Sequence, residues 1–345
     1  MQNKIKRLRR CIFVLVKMFL FPFTFCFVLL CKSYAQDSAV LQNRNVDSVT
    51  ITHALQGKLV DPVAYDYKKR QWIIGGVSAA GYGGSLIALN KAWYSQYQKT
   101  SFHPFNDAGE WLQLDKVGHG WTAYNTSRAT TAAWQWAGLP HHKAVLVGSA
   151  TGFTYLTVIE FLDAYSAQWG WSWADMGANF FGSALFAAQE LTWGKQNIQL
   201  KFSAHKKNYP SPLQGRADKL FGTSLPEKIL KDYNGQTYWA SVNLKGFLNI
   251  SHLPEWLNVA VGYGADGLWG GFENKGYDED GIVIFNRTDI PRHRQWYLAP
   301  DVDFTKIKSN KKWVKTLLFA FNAIKVPAPT IRYSAGRFRF HPVYF

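Results

Sequence analysis

The sequence predicts an α+β protein, a helical bundle of about four helices followed by a β-rich C-terminal module. Three observations predict it. Between residues 71 and 190 long uncharged runs of helical length alternate with short breakers, Gly138-Leu139-Pro140 and Trp169-Gly170-Trp171. Inside that block polar residues recur at helical spacing: Asp115-Lys116-x-x-His119, Glu160-x-x-Asp163 and Asp175-x-x-x-Asn179-x-x-Gly182. After Thr192 the chain turns to short, partly alternating pieces broken by Gly and Pro.

Residues 1–35 read as a signal peptide. Lys4, Lys6, Arg7, Arg9 and Arg10 form a basic head, and an apolar run follows from residue 11 to 31, interrupted by Lys17 and Pro22. Ser33-Tyr34-Ala35 then supplies small residues at the −3 and −1 positions of a cleavage site. The run is long, so an uncleaved anchor is the alternative. Lipidation fits poorly, because Leu30 precedes Cys31 and Phe25 precedes Cys26 where a small residue is needed. All three cysteines lie in this segment, so the mature chain has no disulfide partner, thiol nucleophile or Cys-based metal site. Cleavage lowers the net charge from +16 to +9, because the leader carries seven Lys/Arg and no acids. The expected location is the periplasm or the outer membrane. For an exported basic chain the expected partners are membrane lipid or an envelope protein, not nucleic acid. The 15 Trp, 17 Tyr and 24 Phe suit a membrane boundary, a carbohydrate-facing surface or a plain aromatic core.

Residues 36–62 are a polar lead-in, with a Val/Thr-rich strand candidate at 46–52. Residues 63–194 form the bundle. Its first helix, residues 71–90, has no charge and carries Gly76, Ala80, Gly84 and Ala88 at four-residue spacing, beside a Gly75, Ala79, Gly83 row. Small residues at that spacing let helices approach closely, either in a membrane or inside a soluble bundle. A loop at 100–109 leads into a helix ending near Trp136, and a third helix runs from about 143 to 167. Ser172-x-x-Asp175 fits a capping box that opens a fourth helix, in which Gly182 provides a close-packing face. Residues 195–345 comprise a linker to about 212 and the β-rich module. Strands are expected at 238–248, 259–263 and 294–304, a helix at 313–325 and an extended stretch at 331–345. The terminal Phe345 is a feature of outer-membrane barrels. Counting back by twos, however, gives Val343, His341, Arg339 and Arg337, and the strands are too few for eight, so a small mixed module is expected instead.

Asp115 and His119 stand at i and i+4, within reach of one another on a helix. They suit a metal-ligand pair or a carboxylate-oriented His, or simply a hydrogen bond near the helix start. Glu160 and Asp163 follow an uncharged run, and either need partners or emerge into solvent. Asp175 serves as a cap or as a site residue. His141-His142 is expected to be exposed. There is no Gly-x-Ser-x-Gly elbow and no His-Glu-x-x-His.

Taken together, Asp115-Lys116-x-x-His119, the acidic residues after the next apolar helix and Trp173-x-Asp175-x-x-x-Asn179-x-x-Gly182 resemble the YfiM-like family of predicted periplasmic lipoproteins, whose function is unknown. The same order is similar to VanZ-like membrane proteins, which carry Asp-Lys-x-x-His, a Glu-containing helix, then Asp-x-x-x-Asn-x-x-Gly. The resemblance spans about 110–190 and implies an envelope protein with a helical, membrane-associated core. VanZ-like proteins are linked with glycopeptide resistance. This chain departs from them in its leader, its C-terminal extension and the lack of a Gln shortly after Glu160, so resistance is not carried over. Two functions follow. In the first, a non-enzymatic structural or accessory protein, Asp115, Lys116, His119, Glu160, Asp163, Asp175, Asn179 and Gly182 form a polar site that fixes the helices. In the second, a hydrolase acting on lipid or cell-wall material, His119, Glu160 and Asp175 ligate a divalent metal and Asp115 orients the His.

Overall fold

The computed structural model describes residues 67–345 apart from 93, 95–97, 249, 251, 279 and 280. The expected leader, the lead-in to residue 62 and the strand expected at 46–52 lie outside the described residues. In chain order the elements are α1 (Tyr67–Ala92), α2 (Leu114–Trp136), α3 (His141–Ala164), α4 (Trp173–Trp193), β1 (Ile198–Ala204), α5 (Ser211–Phe221), α6 (Leu225–Lys231) and β2 (Gln236–Asn243). There follow α7 (Leu244–Phe247), β3 (Leu257–Asp266), β4 (Lys275–Tyr277), β5 (Val283–Asn286), β6 (His293–Val302), α8 (Lys312–Phe321), β7 (Ala328–Ser334) and β8 (Arg337–Tyr344). The fold is α+β, a helical region followed by an antiparallel β module.

Helix α2 lies at the centre, packed against both α3 and α4. Glycines allow the close approach. A Cβ on Gly182 of α4 would sit 2.1 Å from the Gly120 carbonyl oxygen of α2. One on Gly148 of α3 would sit 2.0 Å from Thr131 Oγ1. Helix α1 behaves differently from the expectation of a tightly partnered helix. Its Gly75, Gly76, Gly83 and Gly84 meet open space, and Trp72 is 82% exposed. Among the described residues, α3 and not α1 is long and apolar enough to cross a membrane.

The sheet runs in the order β1-β2-β3-β6-β7-β8, with β4 and β5 as a separate hairpin. Strand β1 lies within the stretch expected to be a linker. Ile198, Leu200 and Phe202 alternate with Gln199, Lys201 and Ser203, a period of two that the nearby prolines and charges outweighed in the sequence reading. Backbone bonds from Phe202 to Ala323 (3.0 Å) and from Lys325 to Phe202 (2.9 Å) cover the outer edge of β1.

The sheet is strongly curled. Flat, it would hold β2 and β8 about 19 Å apart across four strand spacings. Instead the Tyr344 hydroxyl of β8 lies 3.1 Å from Thr237 Oγ1 of β2 and donates to Tyr297 Oη at 2.7 Å. Inside the curl sit Trp239, Tyr297 and Tyr344 together with a polar set. Lys201, 0% exposed, pairs with Asp301 at 2.8 Å, and Ser241 donates to Asp301 at 2.6 Å. Asn258 donates to Ser241 at 2.9 Å. The inward positions of this sheet are therefore largely polar, while many outward positions are apolar.

Candidate functional site

Three connections bring the motif residues together at one end of the helices. The segment before α2 is tied to the α3–α4 turn by Phe105 N–H to Trp171 O (2.9 Å) and Trp171 N–H to His103 O (2.9 Å). This places Asp107 beside the start of α4. Trp111, Leu112 and Gln113 then form a left-handed turn with φ of 49°, 53° and 67°. Such a backbone costs about 1–2 kcal/mol per non-glycine residue. It is held from the sheet side by Trp111 N–H to Gly271 O (2.8 Å), by Tyr263 Oη donating to Leu112 O, and by Arg294 donating to Gln113 Oε1 (2.7 Å). The turn starts α2 so that Asp115, Lys116 and His119 face α4. Ser172 then caps α4, accepting from Asp175 N–H at 3.0 Å.

The Ser172 cap is one half of the expected capping box. In the other half the Asp175 carboxylate would accept from the Ser172 N–H, but here it turns to Lys116. Ser172 N–H points instead to Glu160 Oε2 at 3.4 Å, and its hydroxyl donates to Asp107 Oδ1 at 2.5 Å.

Lys116 is the hub. Its ammonium lies 2.6 Å from Asp107 Oδ2, 3.1 Å from Asp115 Oδ2 and 2.9 Å from Asp175 Oδ1. Asp115 also accepts from the Tyr233 hydroxyl at 2.8 Å, which joins the network to the segment between α6 and β2. His119 Nδ1 lies 3.0 Å from Asn179 Oδ1 and 3.7 Å from Glu160 Oε1, while its Nε2 lies 3.9 Å from Asp175 Oδ1. Asn179, rather than Asp115, thus sets the ring orientation. Asp163 accepts from Tyr94 Oη at 2.8 Å. Gly182 contributes close packing and no polar contact. Asp115, His119 and Asp175 present ligand atoms all within 4.8 Å of one another. Glu160 approaches the other ring nitrogen, so a metal on Nε2 would take Asp115 and Asp175 and leave Glu160 out.

Burial and charge set the protonation states. Burial opposes a charge on His119, but Asp115, Asp175 and Glu160 outweigh it and raise its pKa to about 9. Burial likewise works against ionised Asp115, yet His119, Lys116 and Tyr233 hold its carboxyl below the usual range. Glu160, 1% exposed, is pushed by burial to about 8, with His119 opposing and Asp175 adding. Burial pushes Asp163 to about 7 and Asp175 to about 6. For Lys116, burial is outweighed by Asp115 and Asp175, so its pKa rises. Within the network, Glu160 Oε1 and Asn179 Nδ2 are buried without a hydrogen-bond partner among the described residues, while Asp175 Oδ1 is held by the Lys116 ammonium as an ion pair at 2.9 Å.

The network floors a cleft of about 550 Å³ between α2 and the β module. Aromatic rings wall it, among them Tyr94, Trp111, Trp121, Phe202 and Tyr238. His141 is exposed and reaches the α4 terminus, 3.6 Å from Glu190, at the opposite end of the helices from the motif residues. Sequence reasoning missed Asp107 and Tyr233. Asp107 sits in a loop with no periodicity, and Tyr233 lies 118 residues from its partner, so neither had a local signal.

Residues 104–190 match the family of predicted periplasmic lipoproteins DUF2279. The matched span contains Asp107 and all eight motif residues but not Tyr233. It supports an exported chain, in the periplasm or the outer membrane. No curated protein and no solved structure matches the chain.

Proposed function

We propose that this chain is a non-enzymatic accessory protein of the cell envelope, in which the Lys116-centred network clamps the helices to the β module. One observation carries the reading: the Lys116 ammonium already occupies the space between Asp107, Asp115 and Asp175. Buried carboxylates need a counter-charge, and a lysine held by three of them supplies one from within the chain. The finer likeness to YfiM-like lipoproteins and to the VanZ-like motif order supports an envelope setting and carries no resistance activity. The expected partners are membrane lipid or an envelope protein.

A second reading, a metal-assisted hydrolase acting on lipid or cell-wall material, is favoured by the clustering of Asp115, His119 and Asp175 beneath an aromatic cleft. Elemental analysis of the purified protein beside His119→Ala separates the two. The accessory reading expects no bound divalent ion in either protein and a less stable variant. One ion per chain in the parent, lost in the variant, would replace it with the metal reading.

A further inference from the structure

The alternation of the sheet is inside-out. In a water-soluble sheet with one buried face, apolar side chains point inward and polar ones outward. Here the inward positions carry Lys201, Ser241, Asn258, Gln295, Asp301 and Thr330, all buried. The convex face of β3, β6, β7 and β8 carries the apolar set. Register places Tyr263, Trp296, Tyr333 and Phe338 in one continuous row across the four strands. The next row is Val261, Leu298, Ile331 and Phe340. Directly opposed residues on one face touch their neighbours, so the two rows form a single patch. Phe338 is 74% exposed and Phe340 65%. Helix α2 covers the same face at its β1–β2 end, where Trp121 packs on Phe202 and Tyr238, and the turn before α2 reaches Tyr263 and Arg294 at the β3–β6 end, leaving the β7–β8 side of the face open.

What borders the patch indicates its occupant. On the opposite, concave side, toward the β7–β8 turn, lies a cavity of about 710 Å³ lined by Lys207, His293, Arg332, Arg337 and Arg339. Its one acidic side chain, Asp266, is paired with Lys207 at 3.2 Å. Arg332, Arg337 and Arg339 have no ion pair among the described residues. Along the strands from the turn, the order runs from Arg337 at the basic mouth of the cavity, to the aromatic row, then to the largely aliphatic row. That order matches the headgroup, interface and acyl layers of a lipid leaflet. A protein partner would explain an apolar patch, but it would require neither the graded order nor a polar interior.

We propose that the convex face of β3, β6, β7 and β8 docks on an anionic lipid bilayer, with the β7–β8 turn end, where Arg337 and Arg339 line the basic cavity on the concave side, at headgroup level and Leu298, Ile331 and Phe340 against the acyl chains. This deepens the accessory reading by naming its partner surface, and takes from that reading only the envelope location. The orientation places lipid against the β module, where the sequence had suggested the helices.

The test uses the full chain with Cys11, Cys26 and Cys31 changed to Ser. A single cysteine replaces Phe340 or, as a control on the exposed β4–β5 hairpin, Ile282, and carries an environment-sensitive fluorophore. Vesicles of phosphatidylglycerol and phosphatidylethanolamine with brominated acyl chains are the probe. The proposal expects strong quenching at 340 and little at 282, whatever the N-terminal segment does. It also expects vesicle binding about tenfold weaker when Arg337→Glu and Arg339→Glu are combined. Equal quenching at 340 and 282, no quenching at 340, or equal binding to purely zwitterionic vesicles would overturn it. So would a dimer that shields the probe at 340 in vesicle-free buffer, because the face would then belong to a second copy. Unchanged melting temperatures show that the labelled chains are folded. Metal content and network stability are read separately, so failure here leaves the clamp reading standing.

Discussion

At the scale of single residues, Lys116 decides more than any other side chain. Breaking a buried ion pair by removing one partner leaves an uncompensated charge, at a cost of about 3–5 kcal/mol. Lys116→Met leaves Asp107, Asp115 and Asp175 facing one another, so denaturant melts should show a loss of about that size. Adding Asp175→Leu to Lys116→Met should recover part of it, since the pair is then absent rather than broken. The titration of the same cluster gives a pH dependence. The folded pKa of Glu160, about 8, lies above its ordinary value of 4.5. Its stabilising contribution is therefore complete below 4.5 and is lost as pH rises through 8. His119, raised from 6.5 to about 9, loses its contribution between those values. Thermal melts should show stability falling from mildly acidic to alkaline pH. Glu160→Gln should flatten the lower part of that fall and His119→Gln the upper part. A curve unchanged by either substitution would contradict these assignments.

At the scale of elements, the same residue type has opposite meanings in different helices. Gly182 and Gly148 sit where helices touch backbone to backbone, whereas Gly75 and Gly76 face open space. Gly182→Ala should therefore destabilise the protein by about 1–3 kcal/mol through overpacking. Gly75→Ala should be neutral or stabilising by about 0.5–1 kcal/mol, because alanine is the better helix former. Chemical melts of the two variants check the pair, and equal effects would mean that α1 is packed as tightly as α4. The sequence made the Gly182 contact legible because Asp175, Asn179 and Gly182 share a helical face. It made α1 misleading, because spacing reports which residues align and says nothing about whether a partner helix is present.

At the scale of the whole molecule, helical spacing revealed the site's motifs but not its full membership. Asp115, Lys116, His119, Glu160, Asp175 and Asn179 were legible because each lies on a helix at regular spacing. Asp107 and Tyr233 were not, since a loop and a single turn carry no period. The C-terminal sheet was half legible. Counting by twos from Phe345 gave His341, Arg339 and Arg337, which point away from the apolar face. A register shift between Ala328 and Thr330 puts one extra residue into β8, and beyond it Phe340 and Phe338 carry the outward phase. A bulge is a tertiary feature, and no window of sequence alternation contains it. The hub has one further consequence, and it concerns time. Asp107, Lys116, Asp175 and Tyr233 come from four separate stretches, and the bond from Tyr233 to Asp115 closes 118 residues of chain. The entropy of that closure must be met before the bond returns anything, so the hub forms late in folding. Lys116→Met should then hasten unfolding while leaving the folding rate nearly unchanged, as stopped-flow measurements across denaturant would register. The lysine would act mainly as a latch on the finished protein, setting how long it stays folded once exported.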